Sequence, residues 1–507
     1  MTGATNVNLG GLPAAGANPE RISLIEYRTD DEPRSWSAGE LDAHVSAVAR
    51  GLKRRGLKRG DAVAILAANS ADFVAVYFGA MRAGFVCVPI NWKLSADNVG
   101  YILEDCAAKI AFFDRERAHL VRAGVPAIEI GSADWQAFLD PGASEIVDVG
   151  PEEIAQILYT SGSTGRPKGV PLSHSGQHWA VSVVTRQDNS HHILLVAAPM
   201  YHMNALFNLK FAFLNRARII LQPNFTAASY IEAIERFGAT WLTSVPTMLA
   251  LVANHLGDRP RPAAFDRVTR IFMGSSPYSQ QLLDRVKALF PNAPITNGYG
   301  TTEAGPAVYG PHPDGIPTPD CALGFPLAGT TRLVDAGGNV VEGPGEGVLQ
   351  MRNPATMRGY RNLPEKTRAA LRDGGWYHSG DRVRRDAQGF HWFIGREDDM
   401  FVCGGENVWP GEVEKMLEKH PEIAQAIVVP VPDETKQALP VAFVVRRAES
   451  KLDGEGVKAW ALANGPAYQH PRDVHFLDAL PLAGTNKIDR SGLRARAAAA
   501  RAGGSTA

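Results

Sequence analysis

The feature that most constrains the fold is a series of short, continuously apolar runs separated by stretches of helical periodicity. "AVAILA" (62 to 67), "FVCVPI" (85 to 90) and "KIAFF" (109 to 113) are nearly all apolar and do not alternate with polar residues. A strand with one wet face alternates, whereas a continuous run suits a strand buried on both faces, as in a parallel sheet covered by helices. Between such runs, "SAGELDAHVSAVARGL" sets Ser37 and Glu40 in capping-box spacing and aligns Leu41, Val45, Val48 and Leu52 on one helical stripe. After a looser stretch near 130 to 150 the rhythm resumes in "IAQILY", "HILLVAAP", "RIILQ", "WLTSVP" and "RIFMG", with helical "AASYIEAIERF" among them. The fold class is therefore α/β, with two consecutive units of one kind and no clear sequence repeat.

Two further textures follow. From about residue 320, Gly-punctuated runs such as "TTRLVDAGGNVV" and "GEGVLQMRNP" predict a small β subdomain. Beyond the polar "GREDDM", the segments "WPGEVEKMLEKH", "AIVVPVPD" and "VAFVVRR" predict a compact α+β domain. A chain of 507 residues exceeds one ordinary core, so the expected division is 1–397 and 398–507. The terminal "RARAAAARAGGSTA" reads as a frayed helical tail.

Charge and cysteines narrow the function classes. Fifty-two basic and fifty-three acidic side chains leave a formal charge of −1, so no overall field holds nucleic acid or anionic lipid. Cys87, Cys106, Cys321 and Cys403 form no C-x-x-C pair, and four buried, reduced thiols are expected. No signal-peptide pattern opens the chain and no segment offers an uninterrupted apolar span long enough for a membrane, so a soluble, cytoplasmic protein is expected.

The stretch "YTSGSTGRPKGV" (159 to 170) carries the chemistry. Gly162, Gly165 and Gly169 permit close backbone approach, Ser161, Ser163 and Thr164 add hydroxyls, and Arg166 and Lys168 add charge. Together these suit a polyphosphate. Pro167 before Lys168 and Gly169 after it break the Walker A pattern, and by composition alone a flexible surface turn stays open.

Four more motifs follow in order: "NGYGTTEAGP" (297 to 306), "GGWYHSGD" (374 to 381), "GREDDMFVCGGENVWPGEVE" (395 to 414) and "PLAGTNKIDR" (481 to 490). With the glycine-rich loop, this set closely resembles the adenylate-forming superfamily of acyl-CoA synthetases, adenylation domains and luciferases, over about residues 20 to 495. The resemblance implies a large N-terminal region of two α/β subdomains plus a β subdomain, hinged to a small mobile α+β C-terminal domain. It also implies the reaction: a carboxylate attacks the α-phosphate of ATP, pyrophosphate leaves, and a thiol then displaces AMP.

Residue roles follow from the resemblance. Thr160, Ser161, Gly162, Ser163, Thr164, Gly165 and Lys168 match the loop that grips the β- and γ-phosphates. Thr302 matches an α-phosphate contact and Glu303 the carboxylate for Mg²⁺, with Gly300 and Thr301 in the same nucleotide-binding turn. Tyr299 matches the ring that stacks on adenine, with Ser275 and the "GSSP" backbone along the purine edge. Asp381 and Arg396 match the ribose contacts, and Lys487 the lysine bridging carboxylate and α-phosphate. Asp398 falls at the hinge, while Gly404 and Gly405 match the glycine wall of a pantetheine tunnel. His202, Met203, Asn204, Gly298, Gly305 and Pro306 border the acyl pocket, where small Gly298 and Gly305 leave room for a flat ring.

Two positions depart from the pattern. Val402 stands where many relatives carry lysine, and "YQHPR" (468 to 472) replaces a basic run, so His470 and Arg472 are only candidates for the coenzyme's 3′-phosphate. The implied activity is an acid–CoA ligase using ATP, Mg²⁺ and coenzyme A on a small carboxylic acid, as a monomer or homodimer. An aromatic or hydroxycinnamate-type acid is favoured. A medium- or long-chain fatty acyl-CoA synthetase, and an adenylation enzyme loading a carrier protein, are the alternatives; a non-catalytic nucleotide binder would be expected to lack Lys487 or Glu303.

Overall fold

The computed structural model describes residues 7–29, 31–121, 124–160, 166–185, 187–447, 449–483 and 488–503. Its frame is a pair of twisted sheets. One has seven strands in the spatial order Ile295–Gly298, Arg270–Gly274, Trp241–Ser244, Ile193–Val196, Arg218–Leu221, Ile22–Glu26 and Arg34–Ser37, parallel except for the last. The other has six: Ala127–Glu129, Ala108–Phe113, Ala62–Leu66, Val86–Pro89, Ile154–Thr160 and Lys168–Ser173, again with only the last antiparallel.

The apolar runs form the inner strands of these sheets because both of their faces are covered. Helices Ala38–Arg54, Ala71–Arg82 and Met203–Leu214 fill the space between the sheets, sharing one core with Leu24 of the first sheet and Val63 and Ile65 of the second. A second core packs Ala227–Phe237, Pro246–Leu256 and Gln280–Leu289 on the outer face of the seven-stranded sheet. A third lays Ala96–Asp105 against the outside of the six-stranded sheet. The result is five alternating layers of helix and sheet.

Local signals explain where helices start. Ser37 Oγ accepts from Glu40 N at 3.1 Å and Glu40 Oε2 accepts from Ser37 N at 2.8 Å, so the capping box closes as predicted. Thr226 and Gly238 bracket Ala227–Phe237, the glycine in the left-handed conformation.

The Gly-punctuated stretch forms an antiparallel sheet of Thr331–Val334, Gly345–Met351, Trp376–Arg385, Leu371–Arg372 and His391–Arg396. A last sheet gathers Glu406–Val408, Phe401–Cys403, Gln437–Arg446, Ile423–Asp433 and Asp473–Leu477. Its apolar clusters draw only on residues from Phe401 onward, and the clusters of the preceding layers draw on none of these.

Two expectations are corrected, and one segment proves structural without a sequence signal. As far as Gly503 the terminal segment is not frayed, for Arg490–Gly503 is a helix whose Leu493 and Ala497 are buried against Val429, Val431 and Phe443; the rest of the expected tail lies outside the described residues. Cys321 is only partly buried, although all four cysteines are free. The opening segment does structural work, since Leu9–Ala14 is a short 3₁₀ turn inserted so tightly that a Cβ on Gly10 would stand 2.2 Å from the Arg82 backbone.

Candidate active site

The carboxyl ends of four neighbouring parallel strands open on one cavity of about 1030 Å³. Ala198 follows Ile193–Val196, Val245 follows Trp241–Ser244, Ser275 follows Arg270–Gly274, and Tyr299 follows Ile295–Gly298, and all four line it. In open α/β sheets this edge is where ligands bind, because the loops diverge there.

Asp381 anchors one side. It sits in strand Trp376–Arg385 and is buried, with Oδ1 accepting from Arg396 Nη1 at 2.9 Å and Oδ2 accepting from the Tyr299 hydroxyl. Burial pushes its carboxyl above the usual range, and the Arg396 guanidinium opposes that shift. Arg396 reaches further, donating from Nε to Asp398 Oδ1 at 2.8 Å. Burial alone would raise Asp398, but its hydrogen bonds from Arg396 hold it below the ordinary value. The Tyr299 ring meets Tyr309 edge-on at 5.6 Å between centroids.

Glu303 anchors the other side. Residues 301–305 make a tight turn in which Thr301 N donates to Gly305 O at 3.3 Å and Thr301 Oγ1 accepts from Ala304 N at 3.0 Å. Glu303 is 8% exposed, accepts from the Tyr360 hydroxyl at 2.9 Å, and lines the cavity beside Gly300, Thr301, Thr302 and Pro306. Tyr360 also takes Lys168, whose Nζ donates to its hydroxyl at 3.3 Å and stands 4.5 Å above its ring. Burial lowers the Lys168 ammonium, and Glu303 opposes the shift. Tyr360 thus joins cation to carboxylate, and no sequence motif singled it out.

Thr160 ends the strand Ile154–Thr160 opposite Lys168, and its hydroxyl is buried without a partner among the described residues. Ser161, Gly162, Ser163, Thr164, Gly165 and Lys487 lie outside the described residues. Arg361, another unforeseen residue, pins the neighbouring strand: its N donates to Gly169 O at 2.8 Å and its Nε to Asp105 O at 2.6 Å.

At the third wall, His202 stands at the start of helix Met203–Leu214 without capping it through its side chain, and His202, Met203 and Asn204 all line the cavity. Asn204 Nδ2 donates to Ser275 Oγ at 3.2 Å, which steadies Ser275 in the left-handed region at φ 71°.

The expectation that Gly298 and Gly305 leave open space is corrected. A Cβ on Gly298 would stand 2.2 Å from the Phe272 ring, which already fills that notch. Gly305, at φ 77°, faces Ala355, whose Cβ would be 2.8 Å from a substituent there, and it is not among the cavity-lining residues. Gly404 and Gly405 turn the hairpin between Phe401–Cys403 and Glu406–Val408 and line neither this cavity nor a smaller adjoining one. That smaller cavity, about 390 Å³, brings Ile488 and Arg490 of the last sheet's domain together with Ser275 and Arg396. Arg472 is bonded to His470, away from both cavities.

Stacked parallel sheets with a ligand-sized cleft at the strand ends, flanked by a buried aspartate paired with a half-exposed arginine and by a Lys–Tyr–Glu relay, are the architecture of a nucleotide-handling α/β enzyme. The family model of the AMP-binding enzymes matches residues 13–361 and that of their C-terminal domain residues 412–487; the chain belongs to the AMP-binding enzyme family. It is 34% identical over 469 residues to a feruloyl-CoA synthase of an Amycolatopsis species, covering 90% of this chain and 93% of that protein. A fatty acid–[acyl-carrier-protein] ligase of Streptomyces coeruleorubidus is 30% identical over 484 residues, with 92% of each chain covered. Among solved structures, an anthranilate CoA ligase in complex with anthranoyl-AMP superimposes with a TM-score of 0.87 at 26% identity, covering 98% of both chains.

Proposed function

We propose that this protein is an ATP-dependent carboxylic acid–CoA ligase that forms an acyl-adenylate and pyrophosphate, then acyl-CoA and AMP. The observation that carries this is the cavity itself, where Asp381, Arg396 and Glu303 converge with strand-end loops and Tyr360 ties Glu303 to Lys168 behind its wall. Asp381 and Arg396 hold the ribose, Tyr299 the adenine, and Thr160 to Lys168 with Thr302 the phosphates. Glu303 suits Mg²⁺, since a hard cation wants anionic oxygen and that carboxylate lines the cavity. Among the described residues no group of three or more His, Cys, Asp or Glu is arranged to hold a metal, which fits an ion bound largely through nucleotide oxygens. Bound there, Mg²⁺ would neutralise charge on the triphosphate.

Lys487 offsets the repulsion between the incoming carboxylate and the α-phosphate. The domain from Asp398 onward then turns about that residue to bring Gly404 and Gly405 to the thiol path. The presence of Ile488 and Arg490 at the smaller cavity supports the first of these two arrangements in the structure. A cytoplasmic setting is in keeping with the four free cysteines, and the chain is taken to act as a monomer or homodimer.

An aromatic acid is the preferred substrate, supported by the names of the feruloyl and anthranilate relatives. A fatty acid, or a carrier protein as acceptor, is the second reading, favoured by the carrier-protein ligase among the relatives. The test is a panel of carboxylic acids with ATP, Mg²⁺ and CoA, read by pyrophosphate release and mass spectrometry of thioesters. Phosphate without pyrophosphate would overturn the adenylation chemistry. In Lys487→Ala, adenylate formation should fall about 100-fold or more, while thioester formation from preformed adenylate changes far less.

A further inference from the structure

One loop fastens both Glu303 and the hairpin that carries Lys168, and the residue at its centre, Tyr360, lines neither cavity. The stretch from Asn353 to Asn362 follows strand Gly345–Met351 and binds the Glu303 turn at three points. Asn353 Nδ2 donates to Ala304 O at 2.9 Å, Met357 N to Glu303 O at 2.6 Å, and the Tyr360 hydroxyl to Glu303 Oε1 at 2.9 Å. The far end of the loop grips the hairpin of Ile154–Thr160 and Lys168–Ser173. Arg361 N donates to Gly169 O at 2.8 Å. Asp105 completes this grip, its Oδ1 accepting from Asn362 Nδ2 at 3.0 Å and its Oδ2 from the Tyr159 hydroxyl at 2.6 Å. Tyr159 and Gly169 are register partners, so the loop holds the rung next to Lys168.

Tyr360 is buried, and its backbone N donates to Thr367 Oγ1 at 2.9 Å, so main chain and ring are both held. A phenol has one proton to give and lone pairs to receive. Here the proton goes to Glu303, and the oxygen accepts from Lys168 Nζ at 3.3 Å while the ammonium stands over the ring. Burial and the Glu303 carboxylate both raise the Tyr360 hydroxyl, so the phenol keeps its proton at neutral pH. An ammonium and a carboxylate sharing a partly desolvated site attract strongly, and a direct pair would spend each charge on the other. With the hydroxyl between them, only one carboxylate oxygen, Oε1, is engaged by the relay.

We propose that Tyr360 is a positioning residue for the metal-bound triphosphate: its hydroxyl stands between Lys168 and Glu303 and keeps them from closing into an ion pair that would leave neither for the ligand. This rests on the ligase reading above. The experiment measures equilibrium binding by titration calorimetry, without acid and therefore without turnover. The ligands are AMP alone and, with Mg²⁺, an ATP analogue that carries a methylene bridge between its α- and β-phosphates. In Tyr360→Phe the Mg²⁺ analogue should bind about tenfold to a hundredfold more weakly, and half-saturating Mg²⁺ should rise, while AMP, which lacks the outer phosphates, stays within about twofold of wild type. Adding Lys168→Met to Tyr360→Phe should weaken the analogue by no more than about twofold further, because the ammonium is already sequestered. Unchanged AMP affinity reports that the variants fold; Tyr360→Met, which also lacks the hydroxyl, replaces the Phe variant if AMP binding is lost. Wild-type affinity for the Mg²⁺ analogue in Tyr360→Phe, equal losses for AMP and analogue, or additive losses in the double variant overturn the proposal and leave the ligase reading intact. A wild type that binds neither AMP nor the Mg²⁺ analogue overturns the ligase reading, and this proposal with it.

Discussion

Lys210 carries an ammonium group into the middle of the molecule. It is 0% exposed on helix Met203–Leu214, and Nζ donates to Gln177 Oε1 at 2.7 Å. Burial lowers it to about 7, far under its value in an unfolded chain. The folded state therefore binds fewer protons than the unfolded state between pH about 7 and about 10.4, and stability rises with pH through that window. Below pH about 7 the buried ammonium imposes its full cost. Lys210→Met should accordingly stabilise the protein by about 2 kcal/mol near pH 6 and progressively less toward pH 10, read by denaturant titration at several pH values. A gain that does not change with pH would mean that Lys210 does not titrate in the folded protein. Residues of this kind were hard to read from the sequence. Lys210 lies in "NALFNLKFAFL", where one lysine in an apolar helix passes for a snorkelling surface group. Tyr360 was equally hidden, because it gains its place from a partner 57 residues away, Glu303. Asp381, Glu303 and Tyr299 were legible because each sits inside a local motif whose neighbours name it.

Elements were legible where their own residues decide them. The apolar runs became inner strands, and Ser37 with Glu40 fixed the start of Ala38–Arg54. Ile22–Glu26 and Arg34–Ser37 were missed because they are short and find their hydrogen bonds from each other and from Arg218–Leu221, nearly two hundred residues away. Arg490–Gly503 departs from its sequence reading for a related reason: alanine and arginine alone predict a solvated helix, whereas Leu493 and Ala497 are buried on the sheet and Arg490 and Arg501 add polar contacts to its strands. Leu493 is 1% exposed, and burying such a side chain contributes about 1.5–3 kcal/mol. Leu493→Asp should therefore loosen the helix from Val429, Val431 and Phe443, seen as faster amide exchange in strand Ile423–Asp433, with little change in the seven-stranded sheet. Equal loss of protection in both sheets would show that the helix supports the whole chain.

At the scale of the molecule, apolar packing is partitioned. The clusters before Phe401 and those after it share no residue, and contacts across the divide include a cation over a ring, Arg382 on Trp409 at 5.0 Å, and Lys415 Nζ donating to Phe393 O at 3.3 Å. Separate cores unfold as separate cooperative units unless an extensive apolar interface couples them. Scanning calorimetry should resolve two transitions, of which ATP raises chiefly the larger, and a single transition with calorimetric and van't Hoff enthalpies equal would contradict the partition. The partition also bears on inheritance. A crossover in the coding sequence near the codon for Asp398 would exchange one whole core for another and leave every buried apolar neighbourhood intact on both sides. Lineages could then recombine the two parts without first solving a packing problem, and the join would be tuned afterwards through a handful of polar surface contacts.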